Sequence, residues 1–344
     1  MTYDGKVGWG QFINPGQPCL TFHKSCADGL FGAYLFLAGL RKRDIEPSTG
    51  YRAVPLSPHL IPDRLSRFPW LARDTQAIID LPLFTTGTKW WFDHHATNKN
   101  TPIGEDKIQG MYDHTAPSTC AILQRYFNLD TPEQEQLVKV ANCYDQALHP
   151  CPVPTLPEPK VESFEELVWA TNDLLKGTPT EQGTLNLWET FDPLNLSRWL
   201  EQSQNQVTIR RYRLKRGEAL RILGRVDKGP VMFVINAGKQ VQSEAWHLSL
   251  ACADPDYKLL VVGQKITSGD ARTARYRWSF RQNPRLSKEL RSTYRVDMIA
   301  ESLQGGGHQG VGSASTIGLE QAKTRIETWL TSLPEEARLT ILNV

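Results

Sequence analysis

Two short segments carry most of the chemistry in this sequence: Asp93-His94-His95 and Gly305-Gly306-Gly307-His308. The first follows the run Lys89-Trp90-Trp91-Phe92, so a buried strand would deliver one carboxylate and two imidazoles to the loop at its end. Strand ends are where open α/β sheets bind their ligands. In the second, glycines let backbone N–H groups close on an anion while the imidazole adds a side-chain donor. The first pattern suits a metal, the second a phosphate.

His23, Asp28, Asp80 and Asp145, together with Asp93 and His94, fall at the ends of expected elements or in the loops after them. Mixed carboxylate and imidazole donors suit a hard to borderline divalent ion such as manganese or magnesium, and suit zinc or cobalt less when no thiolate joins them. Two such ions close together can activate a shared water and clamp a phosphoryl group. The chemistry implied is hydrolysis of a phosphate ester or anhydride.

The elements that must position these groups are legible in outline. Leu20-Thr21-Phe22 reads as a short strand, residues 23–27 as a loop and residues 28–40 as a helix. Ala77-Ile78-Ile79 is a second buried strand, stopping at Asp80 with Pro82 just beyond. Thr131-Pro132-Glu133-Gln134 combines a cap, a first-turn proline and a capping-box glutamine, which predicts a helix to about Asp145. This alternation is that of an α/β domain. Residues 149–159 hold five prolines and are expected to be an extended loop. Ser163 opens a further helix that Gly177 closes, and residues 195–223 read as one long polar helix connecting two domains. Residues 231–235, 258–262 and 276–280 are strand-like and indicate a second, smaller α/β domain. The expected boundaries are 1–194, 195–223 and 224–344.

Lys plus Arg total 39 against 37 Asp plus Glu, a net charge of +2, which removes any global charge argument for a nucleic-acid or membrane partner. The basic run between Val207 and Lys228, including Arg210, Arg211, Arg213, Lys215 and Arg216, reads as a solvated helix face, with a nucleic-acid role as the alternative. Residues 1–11 have neither a basic start nor an apolar core, and the longest helix-like apolar stretch, 30–40, is too short for a bilayer. A cytoplasmic protein without a membrane partner is expected. The six cysteines (19, 26, 120, 143, 151, 252) are scattered and fit reduced thiols better than a disulfide framework. Cys19, His23 and Cys26 are close in sequence, as are Cys143, His149 and Cys151, yet neither group holds a Cys-x-x-Cys pair, which disfavours structural zinc. Cys26 reads as a small buried hydrophobe, Trp90 and Trp91 as core residues, and His114 and His149 as ordinary loop histidines.

In order along the chain, His23-Lys24-Ser25-Cys26-Ala27-Asp28-Gly29, Ile78-Ile79-Asp80, Asp93-His94-His95 and Asp145 resemble the four motifs of the DHH phosphoesterase superfamily, whose members include RecJ-like exonucleases and nanoRNases. Ser118-Thr119 is similar to the family's Ser-Ser-Thr segment ahead of a helix. Ser279-Phe280-Arg281, Val296-Asp297-Met298-Ile299-Ala300 and the glycines before His308 resemble its associated C-terminal substrate-binding domain. The resemblance implies a parallel-sheet DHH domain with helices on both faces, a smaller α/β domain and an active site in the cleft between them. It implies that Asp28, Asp80, His94 and Asp145 hold one or two divalent ions, manganese first and magnesium or cobalt as alternatives, with His23 a ligand of a second site. His95 would face the scissile phosphate, Asp93 would orient its neighbours, and Arg281, Gly305, Gly306, Gly307 and His308 would bind the rest of the substrate.

The implied activity is hydrolysis of small nucleotides or short single-stranded oligonucleotides by metal-activated water, in a chain that can form a homodimer. Alternatives are a pyrophosphate or polyphosphate hydrolase, and a non-catalytic nucleotide- or nucleic-acid-binding protein. Two departures stand out: Cys26 occupies a usual carboxylate position, and Gly310-Val311-Gly312-Ser313-Ala314 replaces the usual alanines and glycine after His308.

Overall fold

Alternating side chains along three buried strands decide how the first sheet is packed. Leu20, Phe22, Ala77, Ile79, Trp90 and Phe92 enter one apolar cluster, while their neighbours Cys19, Ile78 and Trp91 enter another. A strand that buries both faces needs helices on both sides of its sheet.

The structure is a computed structural model that describes residues 17–45, 47, 49–95, 98, 108–151, 153, 154, 161–223, 231–235, 247, 250, 256–266, 272–308, 310–333 and 339–343. The chain divides into two units, Met1–Gln146 with Glu158–Ile209, and Ala147–Pro157 with Arg210–Val344.

In the first unit, β1 (Cys19–His23), β2 (Arg52–Leu56), β3 (Thr75–Ile79), β4 (Trp90–Asp93) and β5 (Gln109–Tyr112) form a parallel sheet in the order β2-β1-β3-β4-β5. Its helices are α1 (Ala27–Lys42), α2 (Ile61–Arg67), α3 (Trp70–Asp74), α4 (Thr119–Phe127), α5 (Pro132–Asp145), α6 (Phe164–Gly177), α7 (Glu181–Thr190) and α8 (Leu196–Leu200), and α9 (Ser203–Leu223) begins in this unit and continues into the second from Arg210. Leu30 and Phe36 of α1, Leu123 of α4 and Val140 of α5 fill the first cluster, and Ile61 of α2 with Leu71 of α3 the second. Thr131 and Gln134 form a reciprocal capping box at the start of α5, and Ser118 and Ser163 cap α4 and α6.

Three expectations need correction. Residues 195–223 are two helices rather than one, because Asn205 Nδ2 and Gln206 Nε2 donate to the carbonyls of Trp199 and Leu200 at 2.7 and 3.0 Å and so close α8. The basic run is not wholly a solvated face, since Arg213 and Arg216 are buried. Cys19, Cys26, Cys120 and Cys143 are free thiols, but Cys151 is disulfide-bonded, a pairing that depends on three-dimensional proximity and leaves no mark in sequence spacing. Of the proline-rich segment 149–159, the described residues 149–151, 153 and 154 lie in neither helix nor strand.

The second unit contains β6 (Val231–Ile235), β7 (Leu259–Lys265), β8 (Arg275–Gln282), β9 (Gly306–His308), β10 (Val311–Ile317) and β11 (Leu339–Asn343) in the order β11-β6-β7-β8-β10-β9. The pairs β11-β6 and β6-β7 are parallel, and the remaining pairs are antiparallel. The helices Val296–Ser302 and Glu320–Thr331 bury Ile299, Ala300 and Ile326 with Val261, Trp278 and Phe280. Among the described residues, no helix is long and apolar enough to cross a membrane.

Candidate metal centre

The strand order reverses between β1 and β3, and in open sheets of this kind ligands bind outside the carboxyl ends of the strands at that reversal. His23 is the last residue of β1, Asp80 follows β3 directly, and Asp93 ends β4 ahead of His94 and His95. Asp28 arrives from the first turn of α1 and Asp145 from the end of α5. Gly29 makes the first of these placements feasible. A Cβ there would lie 2.2 Å from the carbonyl oxygen of His23, so only glycine lets α1 start against the end of β1. Asp80 has φ 58°, a left-handed backbone that turns its carboxylate out of the strand direction.

All seven residues, His23, Asp28, Asp80, Asp93, His94, His95 and Asp145, are brought together by these elements. Asp28 is buried and accepts backbone N–H bonds from Thr119 at 2.6 Å and Cys120 at 2.7 Å, the first residues of α4. This fixes one carboxylate with the positive end of a helix. Asp80 Oδ2 lies 3.2 Å from His23 Nδ1, and its Oδ1 accepts from Thr119 Oγ1 at 3.2 Å. His95 Nδ1 lies 2.8 Å from Asp93 Oδ1, while Asn98 Nδ2 donates to Asp93 Oδ2 at 2.5 Å. The neighbouring backbone is held in turn: Tyr112 Oη donates to the His95 carbonyl at 3.0 Å and Tyr144 Oη to the Ser25 carbonyl at 2.9 Å. The sequence singles out the segment from Tyr112 to Cys120, with Ser118-Thr119, without giving it a role, and offers no signal for Asn98 or Tyr144. The Ser-Thr pair ahead of a helix was the signal available for Thr119.

Three carboxylates crowd one imidazole nitrogen. His94 Nε2 is 3.2 Å from Asp145 Oδ2, 3.5 Å from Asp28 Oδ2 and 3.8 Å from Asp80 Oδ1, yet is buried without a hydrogen bond among the described residues. Burial and the charge of Asp28 push Asp145 up to about 7, against the pull of His94. The same two causes raise Asp80 well above the carboxylate range. Burial, with the charge of His95, lowers His23 to about 4. Burial opposes the charged form of His95 as well, but the hydrogen bond to Asp93 and the carboxylates around it raise it to about 10. Like charges confined in this way are relieved by protons or by a cation between them.

The donor set fits that cation. Asp28, His94 and Asp145 place ligand atoms within 4.8 Å of one another, as do Asp80, His94 and His95, and His23, Cys26 and Asp80. Asp80 and His94 each belong to two groups. His114 instead stacks on Tyr112 and His149 is buried in the second unit.

The phosphate-like motif lies in the second unit. Arg281 pairs with Val311 and Val311 with His308 across β8, β10 and β9, so Arg281 and His308 share one row of the sheet. Arg281 Nε is buried without a hydrogen-bond partner among the described residues. At Gly305 a Cβ would lie 2.0 Å from the carbonyl oxygen of Ser313, whereas at Gly306 it would meet open space.

Neither a family model nor a curated protein matches this sequence. Among solved structures, the chain is similar to the pGpG-specific phosphodiesterase PggH from Vibrio cholerae at 14% identity, over 93% of this chain and 100% of that one, with a TM-score of 0.62. It is also similar to the DHH domain of a member of the S1p family of ribosomal proteins at 13% identity, over 94% of this chain and 88% of that one, with a TM-score of 0.58. The chain therefore has the DHH-domain fold, with its own Asp93-His94-His95 at the carboxyl end of β4.

Proposed function

We propose that this protein is a metal-dependent phosphoesterase that hydrolyses small nucleotides or short single-stranded oligonucleotides. The observation that carries the reading is His94 Nε2, faced by Asp28, Asp80 and Asp145 without a hydrogen bond to any of them. Asp28, Asp80, His94 and Asp145 would hold the ion, with manganese the first candidate for a mainly oxygen and nitrogen donor set. When bound, a divalent ion lowers the pKa of water and neutralises charge on a phosphoryl group.

The protein's own residues supply the rest. Asp93 fixes the ring of His95 through Nδ1 and favours its charged form, leaving the other ring nitrogen as a donor to a phosphate oxygen. Such a donor matters most as charge builds on the phosphoryl oxygens. The α4 N-terminus holds Asp28 rigid, and Thr119 does the same for Asp80, so little reorganisation is needed during reaction. Arg281, His308 and the backbone of Gly305, Gly306 and Gly307 would take a second phosphate, a task suited to the planar fork of arginine.

PggH, named for pGpG, supports a dinucleotide as the first substrate to try. The test is a panel of di- to pentanucleotides, linear and cyclic dinucleotides, phosphoadenosine phosphate, pyrophosphate and polyphosphate, offered to metal-stripped protein with manganese restored. Turnover of a nucleotide class supports the reading. Turnover of pyrophosphate or polyphosphate alone would replace it.

A further inference from the structure

His23, Cys26 and Asp80 bring a nitrogen, a sulfur and an oxygen donor within 4.8 Å of one another, whereas Asp28, His94 and Asp145 offer nitrogen and oxygen only. We propose that these are two cation positions of different chemistry, and that Cys26 makes the His23 position a thiolate site for a thiophilic divalent ion such as zinc or cobalt. This rests on reading the cluster as a metal centre.

Three observations separate Cys26 from an ordinary core thiol. Asp80 is divided between the positions, with Oδ2 at 3.2 Å from His23 Nδ1 and Oδ1 at 3.6 and 3.8 Å from His95 Nδ1 and His94 Nε2, so each of its oxygens faces a different donor group. Cys26 also occupies the N-cap of α1, where a side-chain oxygen would usually cap the helix, and its side chain makes no such bond. Cys120 provides the contrast: it is equally buried and next to Asp28, but its thiol donates to the Asp28 carbonyl at 3.5 Å and it joins none of the donor groups.

A single ion bonded at about 2.0–2.3 Å to nitrogen, sulfur and oxygen can span donors this close, and three protein ligands leave a fourth position open. On binding, the sulfur gives its proton to solvent and donates an electron pair to the ion. Replacing a carboxylate with a thiolate shifts preference away from manganese and magnesium, toward zinc and cobalt.

The experiment is a cobalt(II) titration of the metal-stripped protein, its Cys26→Ser variant and its Cys26→Asp variant, followed by absorption. The expected result is a sulfur-to-cobalt charge-transfer band in the near ultraviolet that is lost in both variants, while visible cobalt bands persist from the other position. Visible bands without the charge-transfer band in the unaltered protein would overturn the thiolate position and leave the metal centre standing. Absence of cobalt binding would overturn both. If the variants fail to fold, mass-mapped alkylation of Cys26 in the unaltered chain decides: zinc should slow it, and an equal rate with and without zinc would refute the proposal.

Discussion

His94 Nε2 lies 3.2 Å from Asp145 Oδ2 and, among the described residues, forms no hydrogen bond with it or any other group. Asp28 and Asp80 face the same nitrogen. Stripping divalent ions should therefore lower the melting temperature, because the carboxylates are left facing one another. Restoring manganese should raise it with concentration, by about 2.7 kcal/mol of added stability when the ion is at a hundred times its dissociation constant. Melts over a manganese series check this. A melting temperature indifferent to manganese, magnesium, cobalt and zinc would contradict a metal centre.

Arg281 belongs to the second unit and the candidate metal ligands to the first, so its loss should separate recognition from chemistry. Arg281→Lys keeps the charge but loses the planar fork, and should raise KM for dinucleotides on the order of tenfold. Turnover of bis(p-nitrophenyl) phosphate, which has no second phosphate, should hold. Equal losses on both substrates would show that Arg281 does not bind a remote phosphate.

Gly305 and Gly306 are adjacent and differ in steric freedom. Gly305→Ala places a Cβ against the Ser313 carbonyl, 2.0 Å away, and should cost about 1–3 kcal/mol of stability. Gly306→Ala enters open space and should cost much less. Denaturant melts of the two variants test the ordering, and a Gly305→Ala variant as stable as Gly306→Ala would contradict the close approach of Gly305 to Ser313 of β10.

Asp113 gives a pH-dependent contribution away from the centre. Its carboxylate accepts from Thr115 Oγ1 at 2.6 Å, the Thr115 N–H at 3.0 Å and Arg125 Nη2 at 2.7 Å. The Thr115 hydroxyl first, then Arg125, hold its pKa well below the ordinary carboxylate value. With the folded value depressed, the folded chain binds fewer protons than the unfolded one as pH falls, so the contribution is full above about pH 4 and lost below it. Asp113→Asn should melt lower than the unaltered protein near neutral pH, with the gap closing as pH falls below about 4. A gap of constant size across that range would contradict this.

The places of the candidate residues at strand and helix ends were more legible in the sequence than the scaffold around them. Apolar runs that stop at Asp80 and Asp93 mark where buried strands surface, and the capping box at Thr131 marks the helix that ends at Asp145. β2 escaped notice because Pro55 sits inside it, a residue that argues against a strand but is tolerated at the sheet edge where β2 lies. The break between α8 and α9 was hidden because it depends on the amides of Asn205 and Gln206 reaching back to carbonyls six residues earlier. The bonds from the α4 N-terminus to Asp28 join residues 91 and 92 positions apart, and no local pattern records them.

The most direct test is hydrolysis of a linear dinucleotide by metal-stripped protein resupplied with manganese, beside Asp80→Ala and His94→Ala variants whose fold is checked by circular dichroism. Turnover should require the ion and fall by about 10²-fold or more in each folded variant. Undiminished turnover by either folded variant, or equal turnover with and without a divalent ion, would contradict a metal-dependent centre built on these residues.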